Sequence, residues 1–294
     1  MVIVTSDAGG DGSYTSISVA DANEIKCIHK SHTSLIGKIY TAITLLLGMR
    51  PNEHEYKVMG LAPYASKYQK EGPLKVFEKS LKVSGLNFEK DKEMKDFFFY
   101  YEERLKNYRF DGIAGALQEF VENLLTKWFE QIYQKTNIKD FVYSGGVANN
   151  VKANKVLLEQ HFIDSLFVPV GPGDESLSVG AAYAAIYDNT NKILADKIIE
   201  PKNNAYWGAD VDSRLHDRFN NTKYIKDNFE IVRNSTLKDV ATIIAKGEVV
   251  ALLYGNMEFG ARALGHRSLV ADPSSLNSVR KINDLIKKRD FWMP

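Results

Sequence analysis

The stretch of sequence best suited to chemistry is residues 258–268, where charged, hydroxyl and imidazole side chains lie between glycines. Arg262 and Arg267 carry guanidinium groups, which bind phosphate through paired N–H donors. His266 and Ser268 add an imidazole and a hydroxyl beside Arg267. Because apolar neighbours keep the stretch near a core, we predict a compact cationic site for a small phosphorylated ligand. The alternative is a surface loop whose arginines are solvated.

A glycine-rich turn near the start of the chain is a second candidate. Asp7 is followed by Gly9, Gly10 and Gly12, and β-rich runs lie on both sides of them. Glycines let backbone N–H groups approach phosphate oxygens, and a neighbouring aspartate can position a divalent cation. An ordinary β-hairpin uses the same residue types in its turn. The motif alone leaves both interpretations open.

Two more glycine turns follow apolar runs in the middle of the chain. Gly145 and Gly146 precede Asn149, which predicts a strand-to-helix turn where a nucleoside or its phosphates could lie against the backbone. A compact turn with an asparagine cap explains the same residues. Asp174 follows the second turn and is either the N-cap of the next helix or an oxygen ligand for a metal. Spacing does not choose between these roles.

Secondary structure that could position these residues is indicated by apolar periodicity. Residues 51–64 are predicted as loop, and a charged segment follows them. Strands are predicted at residues 2–5, 15–20, 24–29, 140–144, 166–170 and 248–254. Helices are predicted at residues 34–47, 72–81, 91–105, 112–136, 149–160, 174–187, 235–245 and 275–288. Alternation of strand, glycine turn and helix is typical of an α/β fold, with ligands at the carboxyl ends of the strands.

Composition limits the kinds of partner. The 38 basic and 37 acidic side chains give a formal net charge of +1, which favours neither nucleic acid nor an anionic membrane. Cys27 is the single cysteine, as expected in a reducing cytoplasm, where we predict that the protein resides. No apolar run approaches the roughly 20 residues that span a bilayer. Loss of periodicity predicts a linker at 191–208 between domains at 1–190 and 209–294.

Three motifs in the same order resemble a known family. Residues 55–64, 145–150 and 258–268 together resemble the O-carbamoyltransferases that modify nodulation factors and aminoglycoside antibiotics. The resemblance covers nearly the whole chain. It implies part of an actin-like, RNase-H-like ATPase domain, similar to the tRNA threonylcarbamoylation protein. It also implies the start of an α+β domain, similar to threonylcarbamoyl-adenylate synthase, that activates carbamoyl phosphate.

The resemblance also implies a reaction and its participants. ATP and carbamoyl phosphate would give a carbamoyl-adenylate, and the carbamoyl group would then pass to a small-molecule hydroxyl acceptor such as a sugar. A divalent metal, iron or magnesium, would assist. By match, Asp7, Gly9, Gly10 and Gly12 would face phosphates, Gly145, Gly146 and Asn149 the nucleoside, and Asp174 the metal. Arg262, Arg267 and Ser268, with His266 beside them, would hold carbamoyl phosphate, and Lys57 would be a cation in the cleft.

Two other functions remain open from the residues. A small-molecule kinase would share the nucleotide site but would release ADP without needing carbamoyl phosphate. A nucleotide-dependent scaffold would leave the arginine loop without a task. The resemblance further implies an additional lobe with a histidine-rich metal motif before residue 1 and a longer C-terminal domain. We therefore expect this stretch on its own to bind metal weakly and to have little activity.

Overall fold

The computed structural model describes residues 1–10, 12–22, 24–190, 192–199, 204–210, 221–232 and 234–293. Asp11 of the glycine-rich turn, part of the predicted linker and part of the predicted second domain lie outside the described residues. The chain forms two compact units, Met1–Ala185 and Ile186–Pro294, and each is described by itself. Within the described ranges, no helix is both long enough and apolar enough to cross a membrane.

The strands and helices alternate along much of the chain, as the sequence predicts for an α/β protein. The strands are β1 (Val2–Gly10), β2 (Ser13–Ala20), β3 (Ile25–Ser31), β4 (Leu81–Ser84), β5 (Asn87–Lys90), β6 (Asp140–Ser144), β7 (Ser165–Phe167), β8 (Val250–Leu253) and β9 (Arg267–Val270). The helices are α1 (Ile36–Leu46), α2 (Glu55–Leu61), α3 (Lys67–Ser80), α4 (Phe97–Leu105), α5 (Phe110–Thr136), α6 (Val151–Leu158), α7 (Leu177–Asn189), α8 (Lys192–Ile198), α9 (Lys223–Asn228), α10 (Leu237–Ala245) and α11 (Leu276–Arg280).

A mixed five-stranded sheet organises the first unit, in the order β3-β2-β1-β6-β7. β1 pairs antiparallel with β2 and parallel with β6, and β6 pairs parallel with β7. Alternate residues of β1 are buried, as in a strand with one face on a core. The three parallel strands therefore end at the same edge of the sheet, and the glycine turns follow those ends.

The long helix α5 contributes more buried apolar residues than any other described helix of this unit. Its apolar face follows the predicted helical spacing, and Trp128 and Phe129 are fully buried. The Phe129 ring packs against Phe141 and Tyr143 of β6, with ring centroids 5.2 and 5.1 Å apart. This contact fixes the strand that leads into the Gly145 turn.

Several local predictions are wrong. The predicted loop at residues 51–64 contains α2, in which Val58 is fully buried and which packs against α5. The antiparallel hairpin of β4 and β5 was not predicted, and the helix predicted at residues 91–105 begins only at Phe97. Tertiary burial stabilises α2 although prolines flank it, and Asp96 caps α4 by accepting from the Phe99 N–H.

The second unit contains a two-stranded antiparallel sheet of β8 and β9. The strand β9 begins inside the stretch that the sequence analysis treated as a glycine- and arginine-rich loop. Helix α8 and residues 204–208 fall in the predicted linker, and Ala205 is 3% exposed. Part of the predicted linker is thus structured within this unit.

Candidate functional site

Asp7 and the Gly145 turn meet at one edge of the sheet. The parallel register places Thr5 opposite Ser144, so the residues that follow them emerge side by side. The Asp7 carboxylate accepts the Ala8 N–H at 2.7 Å and the Gly146 N–H at 3.1 Å. Two motifs that lie 139 residues apart in sequence are therefore joined by a hydrogen bond.

Gly145 is held tightly against the strand that carries Asp7. Its φ of +95° suits glycine, and a Cβ at this position would overlap the backbone of Ser6. The Gly145 N–H donates to the Pro172 carbonyl at 2.7 Å, and the Ser144 hydroxyl donates to the same oxygen at 2.9 Å. Close packing of the chain on itself therefore accounts for Gly145, and the turn before Asp174 joins the same cluster.

The glycines of the first turn differ in their surroundings. A Cβ on Gly9 would lie 2.6 Å from the Tyr14 ring, so this position is filled by the protein itself. Around Gly10 and Gly12, no described atom lies within 4 Å of where a Cβ would stand. Both face an open cavity of about 490 Å³, which Lys38 and other residues also line. Of the glycines in this turn, Gly10 and Gly12 thus have space beside them for a ligand.

The two asparagines after the Gly145 turn have different contacts. Asn149 ends a 3-10 turn, and its Nδ2 lies 3.6 Å from where a Cβ on Gly173 would be. The sequence leaves open which of Asn149 and Asn150 caps the helix, and Asn150 caps α6 by accepting the Ala153 N–H at 3.1 Å. Its side chain also exchanges two hydrogen bonds of 3.0 Å with Gln118, which is 4% exposed. Gln118 therefore connects α5 to the turn. The helical spacing of apolar residues does not predict this contact.

The Asp174 region does not by itself make a complete metal site. Asp174 is exposed and begins a 3-10 turn after Gly173, which occupies the N-cap position. The Ser176 hydroxyl donates to the Gly171 carbonyl and closes this turn. Over the described part of the chain, no group of three His, Cys, Asp or Glu side chains could hold a metal ion. Lys57 lies half-buried on α2.

Glu258 organises the arginine loop of the second unit. Its carboxylate accepts the backbone N–H groups of Leu264, His266 and Arg267, the last two at 3.0 and 3.1 Å. The N–H of His266 is the main reason that the pKa of the Glu258 carboxyl lies below its usual value, followed by the N–H groups of Leu264 and Arg267. The role of Glu258 was not predicted from the sequence, although a carboxylate before a glycine-containing loop can accept hydrogen bonds from the backbone of that loop.

The two arginines of the loop have different surroundings. The Arg267 guanidinium donates to the carbonyls of Tyr254 at 2.8 Å, His266 at 2.9 Å and Gly255 at 3.0 Å. Most of its donors are therefore used to hold the end of β8. Arg262 is exposed. The structure thus gives Arg267 a structural task that its residue type did not reveal.

His266 and Ser268 are both fixed by the loop. The His266 Nδ1 donates to the Asn256 carbonyl at 2.8 Å, which places a proton on that nitrogen because a carbonyl can only accept. The imidazole stacks on Tyr206, with ring centroids 3.7 Å apart. The Ser268 hydroxyl accepts the Gly265 N–H at 2.9 Å. Both side chains belong to one ordered loop with Arg267.

A segment of the predicted linker supports this loop. The Phe259 N–H donates to the Ala205 carbonyl at 2.7 Å, and the Met257 N–H donates to the Ala209 carbonyl at 2.9 Å. The Trp207 ring stacks on Phe259 at a centroid distance of 4.6 Å. The loop is therefore built from two parts of the sequence about 50 residues apart, and the earlier part was missed because it lacks periodicity.

The first unit is a mixed α/β domain with glycine turns at the carboxyl ends of parallel strands, and the second carries an ordered arginine loop. Residues 2–183 match the family model of the carbamoyltransferase N-terminus, and residues 241–294 match that of the carbamoyltransferase C-terminus. The chain belongs to the carbamoyltransferase family. The resemblance drawn from the three sequence motifs is confirmed.

Individual relatives agree with the family models. The protein MJ1051 of Methanocaldococcus jannaschii is 34% identical, over 100% of this chain and 56% of its own length. Nodulation protein NolNO of Sinorhizobium fredii is 30% identical, over 100% of this chain and 43% of its own. Nodulation protein NolO of Bradyrhizobium diazoefficiens is 27% identical, over 98% and 53%. The chain spans about half the length of these relatives.

Proposed function

We propose that this protein takes part in ATP-dependent transfer of a carbamoyl group from carbamoyl phosphate to the hydroxyl of a small molecule. ATP, carbamoyl phosphate and water give a carbamoyl-adenylate, pyrophosphate and phosphate. The acceptor oxygen then forms a bond to the carbamoyl carbon, AMP leaves, and the hydroxyl proton passes to solvent. Membership of the carbamoyltransferase family supports the transfer. The adenylate, the donor and the acceptor class are the proposed details.

The nucleotide part of the proposal uses the first unit as an actin-like domain. The observation that supports it is the hydrogen bond between Asp7 and Gly146, which joins the glycine-rich hairpin to the strand-to-helix turn. Gly10 and Gly12 are exposed and have open space beside them, and backbone N–H groups of a glycine-rich turn suit phosphate oxygens. Asn149 is the proposed contact for the nucleoside, and Lys57 the proposed cation of the cleft.

The donor part of the proposal uses the arginine loop. Arg262 would neutralise the phosphate of carbamoyl phosphate, because an arginine pairs well with phosphate oxygens. His266 and Ser268 would contact the carbamoyl end from the same loop. Arg267, whose guanidinium bonds three carbonyls, would chiefly keep the loop in shape. The observation that supports this division is the Glu258 carboxylate, which orders the loop through three backbone N–H groups.

Asp174 is the proposed ligand of a divalent metal, iron or magnesium. One carboxylate supplies one or two of the four to six ligands that such ions require. We therefore expect weak metal binding by this chain.

A product assay tests the reaction. A protein that contains this sequence and has the full length of its relatives is supplied with ATP, with and without carbamoyl phosphate, and nucleotides and phosphates are separated and quantified. Formation of AMP and pyrophosphate only when carbamoyl phosphate is present is the expected result. Release of ADP without carbamoyl phosphate would instead indicate a kinase. Nucleotide binding without any turnover would favour a scaffold.

Replacing Arg262 tests the donor site. We expect Arg262→Ala to reduce adenylate formation by about 100-fold, since the variant would lose charge-assisted hydrogen bonds to the phosphate. The melting temperature is measured beside the activity, so that a loss of stability is distinguished from a loss of donor binding. Arg280→Ala, at an exposed arginine of α11, is the matched control and should retain activity. Equal activity of Arg262→Ala and the control would remove Arg262 from the site.

A further inference from the structure

Lys38 lies at the open cavity beside the glycine-rich hairpin. The cavity measures about 490 Å³, and its lining is Ala8, Gly9, Gly10, Gly12, Ser13, Tyr14, His32 and Lys38. The Lys38 Nζ donates to the Tyr14 hydroxyl at 2.7 Å and lies 4.6 Å from the centroid of the Tyr14 ring. One ammonium group and several glycines therefore share this cavity.

The backbone fixes Lys38 in this place. Gly37, the preceding residue in α1, lies so close to the hairpin that a Cβ on it would stand 2.8 Å from the Ala8 nitrogen. The register of β1 and β2 is irregular between Ser6 and Gly10, in the part of β1 that contains Ala8. Lys38, which is half-buried, is thus held beside the hairpin by the packing of α1.

The charge of Lys38 has no acidic partner among the residues that the structure describes. Lys70, also half-buried in this unit, lies 2.5 Å from Glu119, and Lys79 lies within 3.5 Å of both Asp91 and Glu93. Neither the Tyr14 hydroxyl nor its ring carries a negative charge, although both stabilise an ammonium group. With respect to the described residues, this half-buried cation is uncompensated, and such a cation favours an anionic ligand.

We propose that Lys38, positioned by Tyr14, binds the terminal phosphate of a nucleoside triphosphate at the glycine-rich hairpin. Gly10 and Gly12 leave room for the phosphate against the backbone, and the lysine supplies a compact point charge. The inference rests on the proposed nucleotide site and extends it to a residue that the sequence motifs did not include.

Binding measurements across a series of nucleotides test the proposal. ATP, ADP, adenosine and inorganic phosphate are titrated into the chain by calorimetry, first for the wild type and then for Lys38→Met and Lys38→Arg. Lys38→Met should weaken ATP binding by about 10- to 100-fold, as expected for one charged hydrogen bond, and ADP binding less. Adenosine binding should not change, and Lys38→Arg should retain most of the affinity for ATP.

Lys127→Met is the matched control, because Lys127 is an exposed lysine at a different cavity of the same unit. It makes the same change of charge and side-chain shape and should bind ATP as the wild type does. If Lys38→Met binds ATP as tightly as this control, the proposal is wrong while the nucleotide site stands. If the wild-type chain binds neither ATP nor adenosine, both the proposal and the nucleotide site are wrong.

A measurement on the unmutated chain guards against a variant that fails to fold. Lysines are acetylated with a water-soluble reagent, and the modification of each is quantified by mass spectrometry. ATP should slow acetylation of Lys38 several-fold relative to Lys127, whereas adenosine should not. Protection by inorganic phosphate alone at similar concentrations would identify a free-phosphate site and overturn the nucleotide assignment. Equal modification of Lys38 with and without ATP would overturn the proposal itself.

Discussion

Glu258 illustrates how one carboxylate can order a whole loop. Its two oxygens accept three backbone N–H groups between Leu264 and Arg267. We expect Glu258→Gln to lower carbamoyl-phosphate-dependent activity by about 10-fold or more, because one amide oxygen cannot replace two charged acceptors. Exposed Glu230 of the same unit provides the control variant Glu230→Gln. Activity is measured as AMP release, and loss of activity in both variants would contradict a specific role.

The pKa of Glu258 predicts how this effect depends on pH. The folded protein holds the carboxyl pKa below the ordinary value of 4.5, so the folded state favours the ionised form. The stabilisation is therefore complete above pH 4.5 and is lost as the pH falls through the lower, folded-state pKa. The difference in melting temperature between wild type and Glu258→Gln should be constant near neutrality and shrink in acid. A difference that grew in acid would contradict this sign.

Arg262 and Arg267 mark a limit of prediction at the residue scale. The sequence predicts that both guanidinium groups hold a phosphate, because the same N–H geometry suits phosphate oxygens and backbone carbonyls. The fold shows that Arg267 donates to three carbonyls, two of which directly follow β8. The phosphate-binding role of Arg262 remains a prediction. The role of Glu258 in ordering the loop could be recognised only from the fold.

Among the secondary-structure elements, the turn at Gly145 has the strictest requirement. Gly145→Ala would combine a φ of +95° with overlap of the Ser6 backbone, and we expect a loss of about 2 kcal/mol or more in unfolding free energy. Gly48→Ala separates the two causes, because Gly48 has a φ of +76° but open space around it. Chemical denaturation should show the smaller loss, about 1 kcal/mol, for Gly48→Ala. Equal losses would mean that overlap with Ser6 contributes nothing.

Elements with strong periodicity were predicted well and those that depend on distant contacts were not. Helix α5 was predicted within two residues at its start, because its apolar residues recur on one face over seven turns. Helix α2 has only seven residues, and it forms because α5 buries Val58 and Leu61. Residues 205–209 were missed for the same reason, since their backbone partners are Met257 and Phe259.

At the scale of the whole molecule, the two units should have separate cores. Trp128 is fully buried in the first unit, where its Nε1 donates to the Leu86 carbonyl at 3.0 Å. Trp128→Ala should cost about 3 to 5 kcal/mol and lower the stability of the first unit. Hydrogen exchange of β8 and β9 in the second unit should be unaffected. Faster exchange there would mean that the two units unfold together.

The α/β class and the family were predicted from the sequence, since three motifs in a fixed order are specific even where each is weak alone. The meeting of Asp7 with Gly146 was implied only by the resemblance, because 139 residues separate them and parallel pairing of β1 with β6 brings them together. The remaining site assignments, including Asp174, Asn149 and Lys57, stay predictions.

The arginine loop is connected to residues 205–209 by backbone hydrogen bonds and to Glu258 by three more, all of them between groups of this chain. Its peptide groups have therefore already lost their conformational freedom when a donor arrives. Association should then cost little additional entropy, and small anions should bind with rapid, diffusion-like kinetics and not through slow loop closure.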